Sequence, residues 1–315
     1  MNRCLYCYNV LPETEKDFHK RCSLNFFGTT TPPALDYNYE EMQDLAKEIV
    51  TRSIAITGVQ PKLSLTIEKY PGDSKASRFT IVGLWGAYIL KPPAETFPFL
   101  PENEDITMHL AAFFGIKTAD HSLIRLKSGE LAYITKRFDR VKNEKLALED
   151  MCQLTETMTA DKYKGSMEKV GKHIAKFSTR RGFDLAVFFE TTLFCYLTGN
   201  ADMHLKNFSL LTTERNDIVL SPAYDLLCTK MAMPDDKDEM ALTINAKKRK
   251  LRRSDFDSLA NNLNIPERAL QRIYKRFADK LNAANMWIDT SFLPDELKSE
   301  YKQILDNNRK KIDLV

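Results

Sequence analysis

The sequence predicts an α+β fold in which a small β-rich part is followed by a mainly helical part. Between residues 53 and 92, apolar residues alternate or cluster in short runs such as Leu63-Ser-Leu-Thr-Ile67, which is typical of strands. From residue 148 onward, longer stretches carry apolar residues at helical spacing. The change of period indicates two structural regions within one chain.

The N-terminal side is expected to form a five-stranded antiparallel lobe. We predict its strands at 63–67, 79–82, 88–90, 121–126 and 131–138. Helices are predicted at 39–51 and at 103–115, the second beginning at Asn103-Glu104 and ending at Gly115. Tyr70-Pro-Gly-Asp-Ser is a predicted hairpin turn between the first two strands.

The C-terminal side is expected to be helical except for one hairpin. Helices are predicted at 183–197, 253–263, 265–285 and 292–310, and the hairpin strands at 208–211 and 218–220. The aromatic-rich run at 183–197 is expected to be a buried helix. The predicted domains are a Cys/His knuckle at 1–28, a small β-rich lobe at 29–140 and a helical lobe at 141–315.

Composition excludes several classes of function. The chain has 315 residues, of which 43% are apolar, so a substantial core can form. No apolar run is long enough to span a bilayer, and the N-terminus lacks the apolar stretch of a signal peptide. A net charge of +3 gives no electrostatic case for direct DNA binding. We therefore expect a cytoplasmic protein that does not contact a membrane.

Three polar residues in the helical part have the spacing of a kinase catalytic loop. Asp202 is followed at the fifth position by Asn207, and Asp225 follows after a short strand-like run. Oxygen ligands such as Asn207 and Asp225 suit Mg²⁺, and Asp202 could accept a proton from an attacking hydroxyl. Upstream, a predicted strand ends at Lys91, which could hold the phosphates of ATP.

Each of these residues also has a purely structural interpretation. Asp202 could cap a helix, Asp225 could belong to a turn after Pro222, and Lys91 could end a strand with its ammonium in solvent. Their shared order and spacing favour kinase chemistry over these alternatives. Glu104 is the expected partner of Lys91, although a favourable position at the N-terminus of the helix dipole would explain Glu104 equally well. His204 is expected to orient the loop through a hydrogen bond to backbone.

A second constellation lies at the N-terminus. Cys4 and Cys7 form a Cys-x-x-Cys pair, and His19 and Cys22 follow with an His-x-x-Cys spacing. These ligand types suit a small tetrahedral Zn²⁺ site. The alternative is a remnant that persists without a metal.

The chain resembles the HipA-type serine/threonine kinases, the toxin half of bacterial toxin–antitoxin systems. The matching segments appear in family order, namely Ile56-Thr-Gly-Val-Gln-Pro-Lys62, Tyr88-Ile-Leu-Lys91, Thr135-Lys-Arg-Phe-Asp-Arg140, Glu149-Asp-Met-Cys-Gln153, Asn200-Ala-Asp202-Met-His-Leu-Lys-Asn207 and Pro222-Ala-Tyr-Asp225. This resemblance implies a two-lobed protein-kinase-like fold that uses ATP and Mg²⁺.

The resemblance also implies roles for individual residues. It assigns catalysis to Asp202, with His204 in the same loop. It assigns Mg²⁺ binding to Asn207 and Asp225. The backbone of Lys136 and Phe138 matches a linker at which adenine docks, and Thr57 to Lys62 match a phosphate-side loop. The resemblance therefore assigns nucleotide binding to Lys91, Lys136, Phe138, Thr57, Gly58, Gln60 and Lys62.

Two departures from the family pattern affect these expectations. Family loops often carry serine at the position of Ala55 and serine or alanine at the position of Thr57. Autophosphorylation is therefore expected on Thr57 or nowhere, while Thr57 could instead merely support a turn. The phosphate-side loop also begins earlier than in long members, which resembles the short, split HipT-like form. A separate small accessory protein is then expected to supply the missing N-terminal subdomain.

The family further implies a helix-turn-helix antitoxin partner, growth arrest, and a protein substrate from translation such as an aminoacyl-tRNA synthetase. Two alternatives stay open. One is a small-molecule kinase with the same Asp/Asn/Asp residues. The other is a catalytically inactive kinase-like binding module.

Overall fold

A computed structural model of the protein describes residues 2–52, 61–70, 73–82, 86–141 and 144–314. The chain divides into two units, and their residues interleave along the sequence. Unit 1 comprises Met1–Asp105 and Ala119–Phe138, and unit 2 comprises Ile106–Thr118 and Asp139–Val315.

Unit 1 is built on the predicted five-stranded antiparallel sheet, with strand order β2-β1-β3-β5-β4. The strands are β1 Leu63–Tyr70, β2 Asp73–Val82, β3 Tyr88–Lys91, β4 His121–Arg125 and β5 Leu131–Lys136. Central pairs such as Leu63 with Leu90 and Leu90 with Ile134 join fully buried side chains across neighbouring strands. Apolar cross-strand contacts of this kind stabilise a sheet.

The N-terminal segment of unit 1 packs on this sheet through aromatic rings. Helix α1 (Lys20–Phe27) ends with Phe26 and Phe27, whose rings make edge contacts with Tyr88 and Phe79 of the sheet. The Tyr88 hydroxyl also donates to the Phe26 carbonyl at 3.2 Å. Helix α2 covers Tyr39–Arg52, within one residue of its predicted bounds.

Helix α3 spans Leu100–Phe114 and begins three residues before the predicted start at Asn103. The preceding residue, Phe99, has a left-handed backbone (φ 59°), and its carbonyl accepts a hydrogen bond from the Asn103 N–H at 2.9 Å. Pro101 is tolerated in the first turn because that turn needs no intrahelical N–H donor. Residues 100–105 of this helix belong to unit 1, and residues 106–114 belong to unit 2.

Unit 2 is mainly helical. Its helices after α3 are α4 Met151–Leu154, α5 Met167–Phe177, α6 Arg181–Leu197, α7 Thr229–Ala232, α8 Arg253–Asn262, α9 Glu267–Thr290 and α10 Asp295–Lys311. A small sheet of order β10-β9-β8 pairs β8 Leu148–Asp150, β9 Ser209–Thr212 and β10 Ile218–Leu220, and a separate hairpin pairs β6 Arg140–Val141 with β7 Glu144–Lys145. The last three helices confirm the predicted elements.

Helix α6 forms the centre of unit 2 and leads directly to the loop that contains Asp202. Phe188, Phe189, Leu193 and Phe194 on this helix are at most 1% exposed. Their burial confirms the prediction of a core helix in this aromatic-rich stretch. Among the described residues, none of the helices is both long and apolar enough to cross a bilayer.

Candidate active site

The loop that carries Asp202 follows α6 through a left-handed glycine. Gly199 has φ 68°, and a Cβ added there would lie 3.1 Å from side-chain atoms of both Ile304 and Lys230. Glycine is therefore favoured by the left-handed backbone, and a side chain here would also be tightly packed against these two residues. The chain then forms a short 3-10 helix at Leu205–Asn207 and enters β9.

Hydrogen bonds inside this loop fix both Asp202 and Asn207. The Asn200 side-chain oxygen accepts from the Asp202 N–H at 3.0 Å, and the Asn207 amide nitrogen donates to the Asp202 carbonyl at 3.0 Å. From outside, the Thr229 hydroxyl accepts from the Ala201 N–H at 2.8 Å. The buried Asn207 side chain thus spans the loop, while the Asp202 carboxylate stays 38% exposed.

Asp225 is brought to the same loop by its neighbour Tyr224. The Tyr224 hydroxyl donates to the Lys206 carbonyl at 2.8 Å and lies 2.6 Å from the Ser209 hydroxyl. Residues adjacent to Asn207 and Asp225 are therefore in direct contact. Asp225 itself has φ 56°, a left-handed conformation that non-glycine residues seldom adopt outside turns and functional sites.

The donor set of this loop fits Mg²⁺. The Asn207 nitrogen is committed to the Asp202 carbonyl, which leaves the amide oxygen as the atom that can bind a cation. The Asp225 carboxylate supplies a second hard oxygen ligand of the kind Mg²⁺ prefers. Unit 2 thus holds the three residues of the predicted Asp/Asn/Asp pattern around one loop.

His204 is buried and neutral. Burial lowers the pKa of its imidazole to about 4, against the opposing attraction of the Asp202 carboxylate. Its Nε2 lies 4.0 Å from Asp202 Oδ1, and within the described residues its buried Nδ1 has no hydrogen-bond partner. The predicted ring-to-backbone bond is therefore not formed at Nδ1. The ring instead packs edge-on against Tyr163, with centroids 5.0 Å apart.

Tyr163 is a residue at this site that the sequence did not reveal. Its hydroxyl donates to Asp202 Oδ1 at 2.5 Å, although 39 positions separate the two residues. The residue is 42% exposed, and burial together with hydrogen bonding to Asp202 raises the pKa of the phenol. The phenol therefore stays protonated and occupies one oxygen of the proposed catalytic carboxylate.

A second unforeseen contact anchors the loop through Lys206. Its ammonium donates to Asp150 Oδ2 at 2.6 Å, while Asp150 Oδ1 caps α4 by accepting from the Gln153 N–H at 3.0 Å. The Gln153 side chain completes a reciprocal capping box. This arrangement explains why the Glu149–Gln153 motif accompanies the loop motif.

In unit 1, Lys91 forms a buried ion pair with Glu104, which confirms the predicted partner. Lys91 Nζ lies 2.5 Å from Glu104 Oε1, and the two side chains are 4% and 1% exposed. The ammonium also lies 5.4 Å from the centroid of the Tyr133 ring. Lys91 thus does not end its strand with its charge in solvent, as the structural alternative required.

The other nucleotide-binding candidates that the structure describes lie in unit 1. Lys136 ends β5, and its N–H donates to the Asp120 carbonyl at 2.8 Å, so this donor is already used within the fold. Phe138 is the residue at which the chain passes from unit 1 to unit 2. Lys62 is exposed and directly precedes β1, while Thr57, Gly58 and Gln60 lie outside the described residues.

The four N-terminal metal-ligand candidates also lie together in unit 1. The thiol sulfurs of Cys4, Cys7 and Cys22 and one ring nitrogen of His19 all lie within 4.8 Å of one another. We refer to these four residues as the Cys/His cluster. The three cysteines are free thiols.

Comparison with known proteins identifies the family. A profile of the HipA-like C-terminal domain matches residues 54–285. The chain belongs to the HipA-like family. Over 212 residues it is 31% identical to the serine/threonine-protein kinase toxin HipA of Shewanella oneidensis, with 61% of this chain and 47% of HipA covered. Over 209 residues it is 33% identical to Y4dM of Sinorhizobium fredii, with coverage of 62% and 49%.

Solved structures support the fold. HipA of Shewanella oneidensis, determined with HipB and operator DNA, has a TM-score of 0.64 at 22% identity and covers 84% of this chain and 70% of that chain. The Helicobacter pylori kinase CtkA has a TM-score of 0.54 at 19% identity, with coverage of 72% and 88%. The predicted α+β, protein-kinase-like fold is thereby confirmed. This HipA-like chain spans about half the length of the curated relatives described above.

Proposed function

We propose that this HipA-like protein is an ATP-dependent serine/threonine protein kinase. Its family supports kinase-type phosphotransferase activity. The main support for a protein kinase that uses ATP is the loop of unit 2. There Asn207 donates a hydrogen bond to the Asp202 carbonyl, and Tyr224 brings Asp225 to the same loop.

In this proposal the residues divide the work of phosphoryl transfer. The substrate hydroxyl oxygen forms a bond to the γ-phosphorus, its proton passes to the Asp202 carboxylate, and ADP leaves with the electrons of the broken bond. Asn207 and Asp225 would bind Mg²⁺, which when present neutralises phosphate charge. Lys91, held by Glu104, would bind the ATP phosphates.

The Tyr163 hydroxyl contacts the carboxylate that would accept the substrate proton. A substrate hydroxyl must approach the same carboxylate that the Tyr163 hydroxyl now contacts at 2.5 Å. Tyr163 therefore occupies Oδ1, one of the two oxygens through which the Asp202 carboxylate can accept the substrate proton. Burial lowers the pKa of His204 to about 4, so its imidazole is a weak proton acceptor, and its ring packs on Tyr163. We therefore assign proton acceptance to Asp202 and keep His204 as a packing residue of the loop.

The test is transfer of radiolabelled γ-phosphate from ATP by the purified full chain to proteins of a cell lysate. Asp202→Asn should abolish labelling while its circular dichroism spectrum stays that of wild type. A control of the same type is Asp217→Asn, in the exposed turn between β9 and β10, which should label normally. Labelling by Asp202→Asn at the wild-type rate would refute the proposed role. Label found only on small molecules would support the small-molecule kinase alternative.

Biological roles are carried over from the family as proposals. The relative named as a toxin and the solved complex with HipB support growth arrest and an antitoxin partner. Induced expression should arrest growth with wild type but not with Asp202→Asn. The aminoacyl-tRNA synthetase substrate, Thr57 autophosphorylation and the small accessory protein stay predictions, to be tested by mass spectrometry of labelled bands, phosphopeptide mapping and co-purification.

A further inference from the structure

We infer that the Cys/His cluster is a structural zinc site, independent of phosphoryl transfer. Three thiols and one imidazole are a ligand set of the Cys₃His type found in structural zinc sites. The family match begins at residue 54, so the cluster lies outside the matched domain.

The backbone delivers these ligands from two separate elements. A tight hairpin carries Cys4 and Cys7. It is closed by hydrogen bonds from the Cys4 N–H to the Asn9 carbonyl at 2.9 Å and from the Tyr8 N–H to the Cys4 carbonyl at 3.0 Å. The other two ligands flank the start of α1, where His19 is the residue before the helix and Cys22 lies in its first turn. A metal ion would join the hairpin to the helix.

The His19 ring is oriented for metal binding through Nδ1. Its Nε2 lies 3.1 Å from the Val10 carbonyl oxygen. A carbonyl can only accept a hydrogen bond, so Nε2 carries the proton and Nδ1 keeps its lone pair. Metal-binding histidines are commonly oriented in this way by a backbone carbonyl on the other ring nitrogen. Nδ1 is also the atom that faces the sulfurs.

The arrangement of two thiols around Nδ1 fits tetrahedral coordination of a shared metal ion. The Sγ atoms of Cys7 and Cys22 lie 3.5 and 3.7 Å from this nitrogen. A zinc ion with ordinary bond lengths places sulfur and nitrogen ligands about 3.6 Å apart. A single lone pair on Nδ1 can accept only one S–H hydrogen bond, yet two thiols converge on it. A shared cation accounts for both.

The cluster is also tied to functional parts of unit 1. Tyr8, directly after Cys7, donates from its hydroxyl to Asp105 Oδ2 at 2.6 Å, and Asp105 Oδ1 lies 2.8 Å from His121 Nδ1. Asp105 follows Glu104, the partner of Lys91. Metal loading should therefore stabilise the hairpin that holds the first turns of α3, an effect that hydrogen exchange measures without reference to kinase activity.

The test is elemental analysis of the full chain, purified without chelator and without a metal-affinity column. We expect about one zinc per chain. Cys7→Ser and His19→Ala should lose the metal, whereas His19→Cys should keep it because a fourth thiolate can replace the imidazole. Cys152→Ser alters a free cysteine of unit 2 and should leave the zinc content unchanged.

Two further measurements separate ligand loss from misfolding. Cobalt bound in place of zinc should give the visible absorption of a tetrahedral thiolate site in wild type and a shifted spectrum in His19→Cys. Chelation of the wild-type chain should speed hydrogen exchange in α3 peptides. Zinc no higher than in the buffer blank, iron instead of zinc, or full zinc content in Cys7→Ser would each overturn the assignment.

Discussion

The buried ion pair of Lys91 and Glu104 gives a sharp energetic test of the structure. Glu104→Gln removes the carboxylate 2.5 Å from an ammonium that is only 4% exposed. Removing one partner of a buried ion pair takes away attraction that offsets the desolvation of the other charge, and it destabilises a protein by about 3–5 kcal/mol. We expect this loss in urea unfolding followed by circular dichroism, with faster hydrogen exchange in β3 and α3 peptides.

The double variant Lys91→Met/Glu104→Leu should be more stable than Glu104→Gln alone. Replacing both charges by apolar groups of similar size is often close to neutral, because neither ion then has to be desolvated. Both variants should nevertheless lose ATP binding under the proposed function. Recovered stability without recovered binding would indicate that the pair is kept for nucleotide binding and not for the fold.

A matched control is Glu68→Gln, the same chemical change in the same unit. Glu68 pairs with Arg78 at 3.9 Å, and the two side chains are 48% and 46% exposed. An exposed pair of this kind contributes at most about 1 kcal/mol. If Glu104→Gln destabilised the chain no more than Glu68→Gln, the argument from burial would be refuted.

Three further predictions concern unit 2. Asp225→Asn should abolish phosphotransfer and weaken nucleotide binding measured by calorimetry in the presence of Mg²⁺; unchanged affinity would remove Asp225 from the metal site. Tyr163→Phe should raise turnover by up to about tenfold, since it removes a hydrogen bond to a charged group; a lower rate would show that the phenol assists Asp202. The pKa of His204 is about 4 in the folded chain, below the usual 6.5. As the pH falls, the imidazole is therefore protonated in the unfolded chain before it is protonated in the folded chain. Stability should therefore fall as the pH drops from about 6.5 to about 4, and it should fall less steeply in His204→Gln.

Much of the fold could be predicted because strand and helix periods are local signals. The alternation around Leu63-Ser-Leu-Thr-Ile67 placed β1, and apolar spacing placed α8, α9 and α10. The start of α3 was wrong because Asn103 has the sequence of a helix cap, whereas the left-handed Phe99 before it sets the true boundary. Strands β6 to β8 have two or three residues each, too few to show a period.

In the candidate site, too, the sequence could predict contacts between residues that are near one another in the chain but not contacts between distant residues. Asp202 and Asn207 are five positions apart, and their hydrogen bond falls within one visible motif. Lys91 and Glu104 are separated by 13 positions, close enough for a strand followed by a helix to suggest the pair. Tyr163 lies 39 positions from Asp202, and Asp150 lies 56 from Lys206, so no local pattern connects them. Contacts of that range arise only when separate elements pack.

Some contacts hold the backbone of the Asp202 loop in unit 2, whereas Tyr163 contacts the Asp202 side chain. Thr229 binds the loop through the Ala201 N–H, and Tyr224 binds it through the Lys206 carbonyl, so both fix the backbone. Tyr163 alone among these contacts binds the Asp202 carboxylate, and it does so from a half-exposed position. The loop can therefore keep its conformation when the Tyr163 hydroxyl leaves. Departure of Tyr163 exposes a carboxylate that is already in place, which is the physical reason to expect a gain of activity when its hydroxyl is removed.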